Sequence, residues 1–289
     1  MKQLILVFAL LLTALLAVSC FIRINGNFFV GDCTEEGIDY TENREVDPFR
    51  AISSDLPCKV YYSQADKQEV RVESTKEFAG KVITEVENGT LKLKMEEGTY
   101  SKLILRMVIS SPDIESLQVH GSGDIVQEGA LRVSGDLTVK THGSGDIRMG
   151  DIDSKAFTAH SSGSGDIRIE SVSCADFSSS VSGSGDQHFG QVTCAGFKVS
   201  TTGSGDITLG SVKANGQAEA RVSGSGDIRL QDVAIEGDID LKTVGSGDIT
   251  VNGTCHDVTA STSGSGDISG DLTFGHIDAR SSGSGRVRL

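Results

Sequence analysis

The sequence predicts an all-β fold, a right-handed single-stranded parallel β-helix with about 20 residues per rung. Three observations predict it. The first is a repeat. The tetrapeptide Gly-Ser-Gly-Asp begins at Gly121, Gly143, Gly163, Gly183, Gly203, Gly224, Gly245 and Gly264, and a ninth copy at Gly283 ends in Arg286. Successive copies are evenly spaced, with the near-constant period of a repeat architecture. The second is the alternation that follows each copy, as in Ile147-Arg148-Met149, Ile167-Arg168-Ile169 and Ile228-Arg229-Leu230. A period of two is that of a strand with one apolar face. The third is composition: 35 Gly but 3 Pro and no Trp, with the Gly in ordered positions rather than spread as in a linker.

Each repeat offers two or three short strands. After the first come inward positions at Ile152, Val172, Val192, Val212 and Val233, then a second alternating stretch such as Phe157-Thr158-Ala159 or Phe177-Ser178-Ser179. One unit cannot bury these faces alone. Units stacked about 4.8 Å apart can, because equivalent residues then form columns. Ile125, Ile147, Ile167, Ile207, Ile228, Ile249, Ile268 and Val287 are expected as one internal ladder, interrupted by Gln187. The glycines suit a corner that either needs positive φ or packs closely on the adjacent rung. Helical periodicity is nowhere evident.

Four regions follow. Residues 1–19 read as a signal peptide: Lys2 is the positive start, and Leu4 to Leu16 is an apolar run too short to span a bilayer. The run ends in Ala17-Val18-Ser19-Cys20, which resembles a bacterial lipobox, so Cys20 is the expected lipidation site. The alternative is an ordinary signal peptide cut nearby, with Cys20 incidental. Residues 20–45 are expected to be the lipidated cysteine and a tether. Residues 46–119 lack the tetrapeptide but alternate over Phe49 to Tyr62, Glu69 to Glu73, Val82 to Lys94 and Lys102 to Ser110, with a hairpin signal at Asn88-Gly89. They are expected to cap the solenoid and supply its first rungs, since a bare first rung invites edge pairing. Residues 120–289 are the repeat body.

The net charge of −14, with no basic stripe visible along the sequence, argues against nucleic acid and against electrostatic docking on anionic lipid. Membrane contact is expected through the lipid alone.

The repeat stacks Asp124, Asp146, Asp166, Asp186, Asp206, Asp227, Asp248 and Asp267 in one column. Unit charges about 4.8 Å apart repel by about 0.9 kcal/mol even in water, so something offsets them. One option is that each carboxylate accepts corner N–H groups. The other is calcium bridging between rungs. The repeat matches neither the length nor the order of the nine-residue calcium-binding roll, and no cofactor is expected other than this calcium alternative.

Five cysteines besides Cys20 leave an odd count, so at least one is free or paired between chains. Cys33 and Cys58 are placed to tie the N-terminal segment to the first strands. Cys174 and Cys194 fall one repeat apart, where adjacent rungs permit a disulfide. The alternative is two small buried side chains, since Ser154 and Ala214 hold the matching positions.

No catalytic residue is assigned. His120 and His142 each precede a Gly-Ser-Gly-Asp copy and superficially suggest a hydrolytic set. Ser and Asp recur there in every repeat, however, which is what geometry demands and not what one active site looks like. No nucleophile elbow, zincin motif, phosphate loop or dinucleotide fingerprint occurs.

The Gly-Ser-Gly-Asp-Ile run, with Phe49-Arg50-Ala51-Ile52 upstream and Ser111-Pro112-Asp113-Ile114 before the first copy, resembles a bacterial family, the putative auto-transporter adhesin, head GIN domain. The resemblance runs from about Val46 to the C-terminus, although no Gly-Ile-Asn triplet occurs. It implies a right-handed β-helix shaped like pectin lyases, without their catalytic residues, and a role in cell adhesion. The expected function is therefore a non-catalytic scaffold in the bacterial envelope, at the outer membrane with neither face singled out. It would bind a surface, a glycan or a protein. The alternatives are a polysaccharide-binding or polysaccharide-degrading β-helix, and a structural protein whose copies associate end to end as a homo-oligomer.

Overall fold

A computed structural model describes residues 22–24 and 27–289. The chain is a β-solenoid of about 9 turns, with about 20 residues per turn. Each rung runs through the same path. In one, the corner Gly143-Ser144-Gly145-Asp146 leads into the strand Ile147–Asp153, a turn at 154–155 and a second strand, Ala156–Ser161, before the next corner. The first strand bends at Gly150 and Asp151, so Met149 and Ile152 both point inward. First strands stack into a 17-stranded sheet and second strands into a 12-stranded sheet, with parallel pairing throughout the repeat body.

The register produces the expected columns. Ile125, Ile147, Ile167, Gln187, Ile207, Ile228, Ile249, Ile268 and Val287 are successive partners. The seven isoleucines are fully buried, and each contributes roughly 2 kcal/mol by leaving water. Across the core Phe157 stacks on Phe177 at 5.6 Å between ring centroids, and Phe189 meets both edge-on.

The corner glycines are required by close approach more than by φ. A Cβ on Gly143 or Gly145 would press on the carbonyl oxygen of Gly121 or Gly123, far inside any distance that real Cβ atoms show. The same holds rung after rung, whereas positive φ among the corner glycines occurs only at Gly245, Gly264 and Gly283. The closeness serves hydrogen bonding. Both Ser164 N–H and Gly165 N–H donate to Gly143 O, at 3.0 and 3.2 Å, and this bifurcated pattern recurs along the corner.

Residues 46–119 contribute the strands Ala51–Ser54 and Val60–Gln64, which pair in parallel with Ser116–Val119, just before the first tetrapeptide, and with Ile125–Glu128, just after it. Beyond them the pairing turns antiparallel, in the hairpin Val82–Glu87 with Thr90–Met95 and in Glu69–Ser74 with Thr99–Ser111. The hairpin turn is Asn88-Gly89, both at positive φ, as a two-residue turn of this kind needs. Two features depart from expectation. Lys76–Ala79 forms one helical turn, capped by the Thr75 hydroxyl, which accepts the Phe78 N–H. A single turn is too short to leave a periodic signal. The stretch read as a tether also pairs: Asn27–Thr34 runs beside Thr99–Ser111, and Tyr40–Asn43 beside Glu69–Ser74. Neither segment carries the tetrapeptide, so no repeat announces its pairing. No helix among the described residues is long and apolar enough to cross a membrane.

Candidate functional site

The aspartate column resolves into a ladder. In every rung one carboxylate oxygen accepts the backbone N–H of the next rung's corner residue. Asp124 Oδ1 accepts Asp146 N–H at 3.0 Å, Asp146 accepts Asp166, and the series continues through Asp166, Asp186, Asp206, Asp227 and Asp248 to Asp267 Oδ1, which accepts Arg286 N–H at 2.8 Å. The aspartate thus satisfies a donor that faces out of the ladder of main-chain bonds.

The second carboxylate oxygens are the part that sequence reading missed. Two residues after Asp, Arg148 bridges Asp124 and Asp146 at 3.0 and 2.7 Å, and Arg229 bridges Asp206 and Asp227 at 2.5 and 2.7 Å. Arg168 sits 2.8 Å from Asp166 and 3.8 Å from Asp146. Placing a guanidinium between stacked carboxylates offsets their repulsion. The signal was present as Asp-Ile-Arg in three copies. Its meaning depends on rung register, which puts the preceding Asp within reach. A comparable omission is the hydroxyl two residues before the first corner glycine. Thr201, Thr243, Thr262 and Ser281 each donate to the carbonyl of the second corner glycine, at 2.9, 2.7, 2.6 and 2.6 Å.

Replacing Asp166 by Ala should cost about 1 kcal/mol in urea denaturation, because the Asp186 N–H loses its charged acceptor. Asp166→Asn keeps an acceptor oxygen and gives up the half-exposed Arg168 pair, so its cost should stay under about 0.5 kcal/mol. Equal costs for the two variants would show that the ion pair, not the N–H bond, is what the column provides.

His120 and His142 stand in a second outward column, and His160 stands beside it, one outward position earlier on the next rung. His120 and His142 stack at 4.8 Å between centroids, and His160 meets His142 edge-on at 6.2 Å. His142 Nδ1 lies 2.8 Å from Ser162 Oγ, and His160 Nδ1 lies 2.8 Å from Ser180 Oγ. Partial burial, then the neighbouring His120 and His160, hold the His142 imidazole below its ordinary value. Among the described residues no carboxylate bonds to either ring, so the third member of a hydrolytic set is not brought to this column.

Cys33 and Cys58 are joined in a disulfide with a Cα–Cα separation of 5.4 Å. The candidate pairing of Cys174 with Cys194 is not made. They occupy neighbouring rungs next to the paired Ser173 and Thr193, yet both are free thiols. Burial, above all, pushes Cys174 up to about 12 and Cys194 up to about 11, and a protonated thiol does not attack. Cys20 and the signal segment lie outside the described residues.

The outward faces carry polar and charged side chains in rows, as in Thr158, Ser178, Lys198, Glu219 and Asp240 of the 12-stranded sheet. Concavities are open and shallow. One of about 480 Å³ lies beside the disulfide and is lined by Glu35, Glu36, Lys59 and Asp124 among others. Another, of about 400 Å³, includes Lys198, Glu219, Asp238 and Asp240. Neither encloses a set of convergent groups of the kind that marks a reaction site.

The family model for the putative auto-transporter adhesin, head GIN domain, matches residues 48–234 and 214–289. The chain belongs to this family. Crystal structures share this head GIN chain's fold. A putative adhesin from Parabacteroides distasonis is 18% identical, with 90% of this chain and 99% of that one covered and a TM-score of 0.68. A putative lipid binding protein from the same species is 20% identical, with the same coverage and a TM-score of 0.69. A putative adhesin from Bacteroides fragilis is 18% identical, with 89% and 98% covered and a TM-score of 0.62. At such identities the likeness shows the fold alone. No curated protein matches the chain.

Proposed function

We propose that this head GIN protein is a non-catalytic scaffold of the bacterial envelope, lipid-anchored through Cys20, that binds a surface glycan or protein along its outward faces. One observation carries the reading: polar groups are distributed rung by rung over long faces, and the aspartates that would serve a reaction all accept the next rung's backbone N–H. The family's adhesin description and the two adhesin-like solved relatives support it. The aspartate column is read as a structural element with no calcium role, because each Oδ1 already holds an N–H group and calcium wants six to eight oxygens.

The test is a binding screen of the purified chain on immobilised glycans and extracellular proteins, with product release followed in parallel. We expect saturable binding without turnover, reduced when residues 163–202 are deleted to shorten the rod by two rungs, and no shift of the melting temperature on adding calcium. Cys20→Ser should release the chain from the membrane fraction. Glycan cleavage that disappears in His142→Gln would overturn the non-catalytic reading, and a calcium-dependent rise in melting temperature would return the aspartates to a metal site.

A further inference from the structure

Among the described residues one group of side chains stands apart from the repeat-wide columns. It lies at the turn before the second-sheet strands Ile239–Gly245 and Asp257–Gly264. His256 Nδ1 is 2.9 Å from Asp238 Oδ1 and 3.6 Å from Asp257 Oδ2. One ligand atom from each of the three lies within 4.8 Å of the other two. The arrangement is held from the main chain. His256 N–H donates to Gly237 O at 3.0 Å, and Asp257 Oδ1 accepts His276 N–H at 2.8 Å, which leaves Oδ2 facing the imidazole. In the corresponding place on the neighbouring rungs stand Gly237 and Gly275, so the imidazole sits between two residues without side chains. Elsewhere in the repeat body no histidine meets two carboxylates in this way among the described residues.

We propose that Asp238, His256 and Asp257 form a binding site for a divalent transition-metal ion of the zinc class, with Nδ1 and one oxygen from each carboxylate as ligands. The donor chemistry selects the class. An imidazole nitrogen with carboxylate oxygens suits zinc, copper and nickel, whereas calcium and magnesium take shells of oxygen alone. Two carboxylates balance the charge of the ion. In the metal-free chain Nδ1 is hydrogen-bonded to Asp238 Oδ1, and the ion takes the place of the proton between them. The imidazole and Asp238 side chains are well exposed, at 68% and 58%, so water completes the coordination, as in sites with three protein ligands. Because the ligands come from two adjacent rungs, the bound ion also clips those rungs together.

The test is calorimetric titration of zinc into the untagged chain at neutral pH, repeated with His256→Gln, Asp238→Asn and His142→Gln. All three are surface changes, and circular dichroism checks that each variant folds. One ion should bind saturably, with affinity at least about tenfold weaker in His256→Gln and Asp238→Asn and unchanged in His142→Gln. Zinc should also raise the melting temperature of the unaltered chain and fail to raise that of His256→Gln. The proposal is overturned if zinc does not bind, if His256→Gln binds it as the unaltered chain does, or if the binding is lost in His142→Gln, which would place the ion on the histidine column instead.

Discussion

Gly165→Ala should destabilise the solenoid by more than about 3 kcal/mol, enough to prevent recovery of folded protein at ordinary temperatures. The new Cβ would overlap the carbonyl oxygen of Gly145 on the preceding rung. The obstacle is backbone, so no rotamer change relieves it. Only a wider rung spacing at the corner does. Widening breaks the bonds from Ser164 N–H and Gly165 N–H to Gly143 O and stretches the Asp166 N–H bond to Asp146. The loss then passes along the stack, because each rung is registered by its neighbours. Gly135→Ala is the control. No atom lies within 4 Å of a Cβ there, and its φ is not positive. That substitution should be neutral or stabilising by a few tenths of a kcal/mol, through the entropy of the unfolded chain. Urea denaturation of both variants decides the matter. If Gly165→Ala is as stable as Gly135→Ala, the corner is not close-packed as described.

The repeat made most of the fold legible. Identical tetrapeptides fix the rung length, and alternation fixes which residues point inward, so the isoleucine column followed from spacing alone. Hydrogen-bond partners one rung away were not legible, because a partner a full turn of the solenoid distant has no local trace. The Arg148 and Arg229 bridges belong to this class. The Thr201 and Thr243 hydroxyl bonds are local but depend on the shape of the corner, which the tetrapeptide alone does not reveal. The N-terminal part was legible as strands but not as pairings, since no repeat sets its register. Strand polarity there reverses between neighbouring pairs, parallel at Val60–Gln64 and antiparallel at Glu69–Ser74. The Asp238, His256 and Asp257 cluster escaped sequence reading for the same reason as the arginine bridges. Asp238 and His256 are far apart along the chain and meet only because one rung lies on the next.

Gln187 should prove the most informative core position, because it interrupts the isoleucine column yet is fully buried. Its amide is satisfied from the opposite sheet: Ser179 Oγ donates to Oε1 at 2.6 Å, and Nε2 donates to Ser180 O at 2.8 Å. Gln187→Ala removes both bonds and leaves a cavity, so it should cost about 2–4 kcal/mol. Ser179→Ala leaves Oε1 buried without its donor and should cost about 1–2 kcal/mol. Gln187→Ile with Ser179→Ala replaces both partners by the residue types that neighbouring rungs carry, Ile167 and Ile207 on one side and Ala159 on the other. That double variant should be as stable as the unaltered chain or more so, and the cycle through the single variants should give a coupling of about 1–2 kcal/mol. The polar pair then needs a reason other than stability. Corners at Gly143, Gly163, Gly183 and Gly203 are equally spaced along the chain, so whole rungs can exchange places during folding with little change in buried apolar surface. A glutamine that finds its serine only in its own rung penalises such slips, as a single buried polar residue does in a coiled coil. The double variant should therefore equal or exceed the unaltered chain in urea yet return a lower yield of monomer on refolding from denaturant. An undiminished yield would leave Gln187 without a role in register and assign the pair to local packing alone.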